Sequence, residues 1–227
     1  MKPRMGDLPF ARLGYRFQPF SYCGLDYFGP LRVKVARHEE KRWVALFTCM
    51  TLRAIHIELV GCLTTDSVIM AIQRFTSRRG VPRMIYSDSG TNFKGANKVL
   101  SEALTLLDND RLNGFCLSKK IEWRFNPAAA PHMGGAWESL IKSVKSALAY
   151  ALKDRSPKEE VLLTVLTGIE HSVNSRPLTH VSLDPRDDEA LTPNHFLIGS
   201  SSGEINFSNP ELNTELSKKT IPCSSAL

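Results

Sequence analysis

The sequence predicts an α/β fold, a five-stranded mixed sheet flanked by helices, on three observations. Three strand-like runs follow one another with short links at 20–27, 43–50 and 54–60. The apolar period then switches from two to 3.6 in TTDSVIMAIQRFTSRRGVP. After that switch, two short β-rich runs, 83–87 and 121–125, alternate with helical stretches.

Taken in order, residues 1–18 are basic and punctuated by Pro and Gly, and form a lead-in to a domain spanning 19–199. The first three runs are rich in β-branched and aromatic residues, which favours strand over helix. ARHEEKR at 36–42 is expected as a charged turn, and Thr51, Leu52 and Arg53 suffice for a hairpin link. Val68, Ile69, Ile72 and Phe75 recur at helical spacing, with Gly80 and Pro82 as the stop. The fourth strand delivers Asp88 into a Ser-Gly turn. A second helix is expected over about 96–107, a polar loop over 108–120, and a fifth strand ending at Asn126-Pro127.

Trp137, Leu140, Ile141, Val144, Leu148 and Leu152 then make the apolar stripe of a third helix. Glu138, Lys142 and Lys145 fall on one edge beside that stripe. A fourth helix is expected from Ser156, with Pro157 in its first turn and Glu159 closing a capping box. The stretch 200–227 is polar and Pro-punctuated, the composition of a disordered tail.

Composition narrows the class. Lys and Arg number 29 against 23 Asp and Glu, a net charge of +6 that suits a polyanionic partner without requiring one. The five cysteines are widely spaced with no C-x-x-C pair, which argues against a structural zinc site. No secretory leader is recognisable and no run approaches the roughly 20 apolar residues of a membrane span. A soluble intracellular protein, with no membrane partner, is expected.

Asp26 in YCGLDYFGP, Asp88 in IYSDSGTNF and Glu138 in PHMGGAWESLIKSVK are the candidate functional acids. Two close strand-like runs and one rides an amphipathic helix. If the first and fourth strands are neighbours, the aspartates meet and the third helix can bring Glu138 to them. Carboxylates gathered this closely repel unless cations neutralise them. Hard oxygen ligands without a Cys/His cluster favour Mg²⁺ or Mn²⁺. Two such ions, about 3.5–4 Å apart, serve in-line displacement at phosphorus.

The residues GLDYFGP, TCMTLRAIHIELV, RFTSRRGVP, SDSGTNFKGA, WRFNPAAAPHMGGAWESLIKSVK, NSRPLT and LTPNHFLIG, in this order, resemble the integrase catalytic domain of LTR retrotransposons of the Pao/BEL group. The resemblance spans about 9–199. It implies a ribonuclease H-like fold with adjacent first and fourth strands. It also implies Asp26, Asp88 and Glu138 as catalytic ligands of two Mg²⁺ ions, separated by 61 and 49 residues. The implied reaction trims the 3′ ends of the element's DNA and joins them to target DNA. DNA, a homodimer or higher oligomer, and a nuclear location follow from the same resemblance.

Supporting residues carry two readings each. Lys142 and Lys145 contact DNA phosphates or line a solvated helix edge. His132 lies on a loop beside the metals or has a surface role; Asn92 orients Asp88 or makes an Asx turn. Arg78 and Arg79 add to a DNA surface or end a helix favourably. His56, mid-strand, is read as structural. Ser89 stands where the family commonly has Asn. No His/His/Cys/Cys cluster precedes Asp26, and no Trp-rich basic segment follows LTPNHFLIG, which reads as a core from a longer polyprotein or a degenerating copy. A non-catalytic DNA- or protein-binding relic and a ribonuclease H-type nuclease are the alternative functions.

Overall fold

In a computed structural model the chain is described over residues 10–13, 17–88, 100, 102, 106–126, 131–153, 156–181, 184 and 189–203. Strands β1 (Tyr22–Val35), β2 (His38–Cys49) and β3 (Ile55–Val60) form an antiparallel meander. Helix α1 (Thr65–Arg79) returns the chain to β4 (Met84–Asp88); helix α2 (Asn109–Ser118) and β5 (Glu122–Asn126) follow. Helices α3 (Pro131–Leu152), α4 (Glu159–Asn174) and α5 (Pro193–Ile198) complete the described elements. The sheet order is β3-β2-β1-β4-β5, with β4 parallel to both β1 and β5. The expected mixed five-stranded sheet with adjacent first and fourth strands is therefore present.

Alternation along the strands divides the core into two layers. Cys23, Leu25 and Tyr27 face one way, into a cluster with Phe75 of α1 and Leu112 and Cys116 of α2. Phe75 stacks flat on Phe47 at 4.1 Å and takes the edge of Phe20, which fixes α1 to this face. Tyr22, Phe28 and Val33 face the other way, among Trp137, Leu140, Ile141, Val144 and Leu148 of α3 and Leu162, Leu166 and Ile169 of α4. The predicted stripe of the third helix is thus its buried face, with Leu152 at the margin.

Three expectations are corrected. The charged stretch 36–42 is not a turn: only Ala36 and Arg37 turn, and the charged residues from His38 onward already belong to β2. This end of the hairpin carries exposed cross-strand charge such as Arg32–Glu39, and Arg42 pairs with Glu159 at the start of α4. The polar stretch 108–120 is not a loop but holds α2, whose buried contribution is a single i, i+4 pair, Leu112 and Cys116. Asp108 caps it by accepting from Arg111 N at 3.0 Å.

The fourth helix begins at Glu159, not Ser156, and has no side-chain cap. Pro157 O accepts from Lys34 N at 2.8 Å, and Lys158 bridges to the same residue. The edge of β1 beyond its pairing with β4 draws this segment into extended conformation, and the capping box never forms. Of the expected second helix, Leu100 and Glu102 are helical, Leu106 and Leu107 are not, and the rest lies outside the described residues, as does 204–227.

Edge strand β3 is sealed by side chains. Asn174 accepts from Ile55 N through Oδ1 and donates to Ile55 O through Nδ2, both at 2.8 Å. One turn earlier on α4, Glu170 Oε2 accepts from Ile57 N at 2.7 Å, while Arg74 of α1 donates to Leu59 O. These groups occupy positions that another strand would take, so the edge offers little to a pairing partner. Asn174→Ala leaves both polar groups of Ile55 unsatisfied and is expected to cost about 2 kcal/mol, read by urea denaturation.

Around the same edge lies an ionic cluster in the core wall. His56 is 1% exposed and Glu58 3%. His56 Nε2 donates to Glu58 Oε1 at 2.9 Å; its Nδ1 lies 3.4 Å from Glu170 Oε1 and 3.3 Å from Arg79 Nε. As imidazolium, Nδ1 donates to Glu170; as neutral imidazole it accepts from Arg79. Burial disfavours the imidazolium, but Glu170 and Glu58 outweigh it and raise the His56 pKa. Both glutamates titrate lower than usual despite burial, held by His56 and by arginines of α1.

A raised histidine pKa stabilises the fold most below about pH 6.5, and that contribution fades as pH rises through the folded value. The lowered glutamates act in the opposite sense, their contribution fading as pH falls below about 4.3. Melting temperature is therefore expected to peak in mildly acidic buffer, and His56→Gln to flatten its decline on the alkaline side.

Candidate active site

The site is built on the face of β1 that meets α3. Tyr22, Gly24, Asp26 and Phe28 share that face by the two-residue period. Gly24 is required there: a Cβ added to it would lie 2.7 Å from Cζ3 of Trp137. The indole, 1% exposed, thus rests directly on the β1 backbone. Glu138 follows Trp137 on the helix, and Asp26 lies two residues beyond Gly24 on the strand. One close contact therefore brings the helix carrying one acid onto the strand carrying another.

Strand pairing supplies the second aspartate. The parallel register runs Gly24 to Tyr86 and ends at Leu25 and Ser87, and the residues that directly follow this last pair are Asp26 and Asp88, the last residue of β4. This is where the strand order reverses, the crevice in which open α/β sheets hold ligands. Asp26 is half-buried and its Oδ1 accepts from Tyr27 N at 2.7 Å, which fixes the carboxylate's rotation. Glu138 is exposed and makes no ion pair among the described residues. The side chain of Asp88 lies outside them.

Lys142 and Lys145 are exposed on the edge of α3 shared with Glu138. Lys145 Nζ lies 5.6 Å from the centroid of Phe28, two residues along β1 from Asp26. His132 was expected on a loop and instead lies in the first turn of α3, which begins at Pro131 and includes Gly134 and Gly135. Asn92 and Ser89 fall outside the described residues. Arg78 and Arg79 are tied to the ionic cluster, each 2.6 Å from a carboxylate, Glu58 and Glu170 respectively. Sequence reading missed that cluster; its signals were two acids, Glu58 and Glu170, inside otherwise apolar runs.

Among the described residues, no three His, Cys, Asp or Glu side chains converge on a metal position, and only two of the triad have described side chains. What can be tested is the donor chemistry. Asp26 and Glu138 offer hard oxygens from two packed elements, with Asp88 at the adjoining strand end. No thiol joins them: Cys23 and Cys49 are buried and free, and Cys23 faces the opposite layer. That set fits Mg²⁺ or Mn²⁺ better than zinc.

No protein-family model and no curated protein matches the chain. Its fold is nevertheless found among solved structures. A chain of the simian T-cell lymphotropic virus intasome in complex with PP2A regulatory subunit B56 gamma aligns over 77% of this chain at 15% identity, TM-score 0.52. This chain covers 58% of that one. The HTLV-2 integrase catalytic core domain in complex with magnesium aligns over 79% of this chain and 97% of its own, at 17% identity and TM-score 0.50. The catalytic core domain of BIV integrase aligns over 88% and 98%, at 15% identity and TM-score 0.51. The fold is thus the ribonuclease H-like fold of retroviral integrase cores. No described helix is long and apolar enough to cross a membrane.

Gly24→Ala forces the indole off β1 and is expected to destabilise the fold by about 1–3 kcal/mol, measured by chemical denaturation. Near-ultraviolet circular dichroism, where the three tryptophans absorb, should change while the far-ultraviolet spectrum holds.

Proposed function

We propose that this chain is the integrase catalytic core of a Pao/BEL-type LTR retrotransposon, a polynucleotidyl transferase acting on DNA phosphodiesters. One observation carries the reading. The β1–β4 register ends at Leu25 and Ser87, immediately before Asp26 and Asp88, while Trp137, seated on Gly24, docks the helix bearing Glu138 against the same strand. The fold shared with integrase cores supports it, and so do the motifs around each acid.

In this reading Asp26, Asp88 and Glu138 hold two Mg²⁺ or Mn²⁺ ions. When bound, such ions lower the pKa of an attacking hydroxyl or water and neutralise charge at the scissile phosphate. The chain's own residues supply position. Asp26, fixed by Tyr27 N, sets one corner of the site from the rigid sheet. Glu138 closes it from the edge of a helix whose adjoining face is buried. Lys142 and Lys145 neutralise phosphates flanking the reacting one, and His132 and Asn92 serve the DNA end.

In end processing, water oxygen bonds to phosphorus as the bond to the departing 3′ oxygen breaks. In strand transfer, the freed 3′-hydroxyl makes the same exchange on target DNA. DNA ends and target DNA are the partners, a homodimer or higher oligomer the working form, and the nucleus the place of action.

The test is strand transfer on branched or nicked DNA with Mg²⁺ or Mn²⁺. Asp26→Asn, Asp88→Asn and Glu138→Gln are each expected to reduce joining by about 10³-fold, matching several kcal/mol of lost transition-state stabilisation. Metal should raise the melting temperature of the native chain and not of these variants. DNA binding without turnover, indifferent to all three substitutions, would indicate the relic. Cleavage confined to RNA–DNA hybrids would indicate the nuclease.

A further inference from the structure

Two free cysteines face each other across the β1–β2 ladder. Cys23, second in β1, stands directly opposite Cys49, the last residue of β2. Both side chains enter the same core cluster, 0% and 1% exposed. Beside them Met50 N donates to Tyr22 O at 2.9 Å. Tyr22 and Met50 are therefore the hydrogen-bonded pair, and Cys23 and Cys49 are the non-hydrogen-bonded pair next to it. At such a position Cα atoms approach to about 4.5 Å and side chains lie closest. That falls inside the roughly 4.4–6.8 Å that a disulfide spans. The other described cysteines, Cys62 and Cys116, lie outside the sheet.

Local contacts decide how the pair behaves. Cys23 Sγ donates to Met84 O at 3.8 Å, and Cys49 Sγ accepts from Phe20 N at 3.3 Å and Leu52 N at 3.5 Å. A bond between the sulfurs turns both away from these partners. That cost favours the reduced form and makes the disulfide one that other thiols reopen. Burial, with Cys49 nearby, raises the Cys23 pKa, so thiolate is scarce and reaction within the closed fold is slow. The pair nevertheless sits at an end of both strands, where local opening is easiest. Cysteine used as plain core filler has no need of another cysteine opposite it.

We propose that Cys23 and Cys49 form a reversible disulfide, a redox-controlled clamp between β2 and the strand that carries Asp26. The oxidant is a peroxide. One sulfur attacks a peroxide oxygen: an S–O bond forms, the O–O bond breaks, and the departing hydroxide takes the thiol proton and leaves as water. The second sulfur then attacks the sulfenic acid: the S–S bond forms, the S–O bond breaks, and a second water leaves. Two thiols are oxidised and one hydrogen peroxide is reduced to two waters. Closure ties β1 to its neighbour three residues before Asp26. The clamp does not depend on what the triad binds.

In the experiment the native chain, folded and reduced, is treated with hydrogen peroxide, then unfolded, alkylated and mapped by mass spectrometry without reduction. The peptides of Cys23 and Cys49 should be found joined, after exposed Cys62 has reacted. Melting temperature should rise by about 5 °C, because the cross-link closes a loop of the unfolded chain, and dithiothreitol should reverse the rise. Cys23→Ala should lose both the joined peptide and the rise. Full alkylation of Cys23 and Cys49 while Cys62 is oxidised would overturn the proposal. So would a joined peptide that forms only when peroxide is added in urea, or a Cys23→Ala chain that keeps the rise. Should Cys23→Ala fail to fold, the map of the native chain decides alone.

Discussion

The contact of Trp137 with the backbone of β1 at Gly24 organises the rest of the molecule. A residue with any side chain at 24 would hold α3 away from the sheet, because the indole ring already occupies the space where a Cβ would sit. Buried tryptophan brings a large apolar surface to one position, so the energy of helix docking is concentrated at the turn that carries Glu138. The price of such a tight fit is low tolerance for change on either partner. Helix α3 and β1 then lie against each other from Gly24 and Trp137 to Phe28 and Lys145, the stretch that also carries Asp26, Glu138 and Lys142.

Rigidity on the opposite side of the sheet has another source. The β3 edge is closed by polar side chains from α1 and α4, among which Asn174 copies a backbone's donor and acceptor. Glu170 serves twice, accepting from Ile57 N and pairing with His56 and Arg79. Buried ion pairs give uncertain stability, because desolvation offsets most of their attraction. Their geometric demand is clearer: α4 fits β3 in one register only, and α4 packs the same layer as α3. Arg78 and Arg79 of α1, the arginines weighed for DNA contact, pair instead with Glu58 and Glu170 of this cluster.

The bulge at Gly29 and Pro30 adds a third constraint with a different result. Where Gly24 meets the helix directly, a groove lies between the bulge and the last turns of α3. Tight packing and an opening thus lie five residues apart on one strand, with Asp26 between them.

Much of this was legible before any coordinates. The strands and the stripe of α3 follow from periodicity and local context, since apolar spacing reports which face of an element is buried, while Asp26, Asp88 and Glu138 were candidates on their contexts and took their roles from the family resemblance. The errors are equally local in origin. Charged residues 38–42 and the polar stretch holding α2 were misread because partly solvated elements need few apolar residues to form. Ser156 promised a capping box that lost to a strand edge with free hydrogen-bonding groups at Lys34. Sequence alone therefore determined which segments would be strand or helix across most of the core and which acids were candidates. Only the tertiary structure decided that β1 lies against β4, that Trp137 rests on Gly24, that Arg78 and Arg79 turn to Glu58 and Glu170, and that a groove opens beside Lys145. Those outcomes depend on contacts between residues far apart in the chain, and pairings of that kind leave no periodic trace in it.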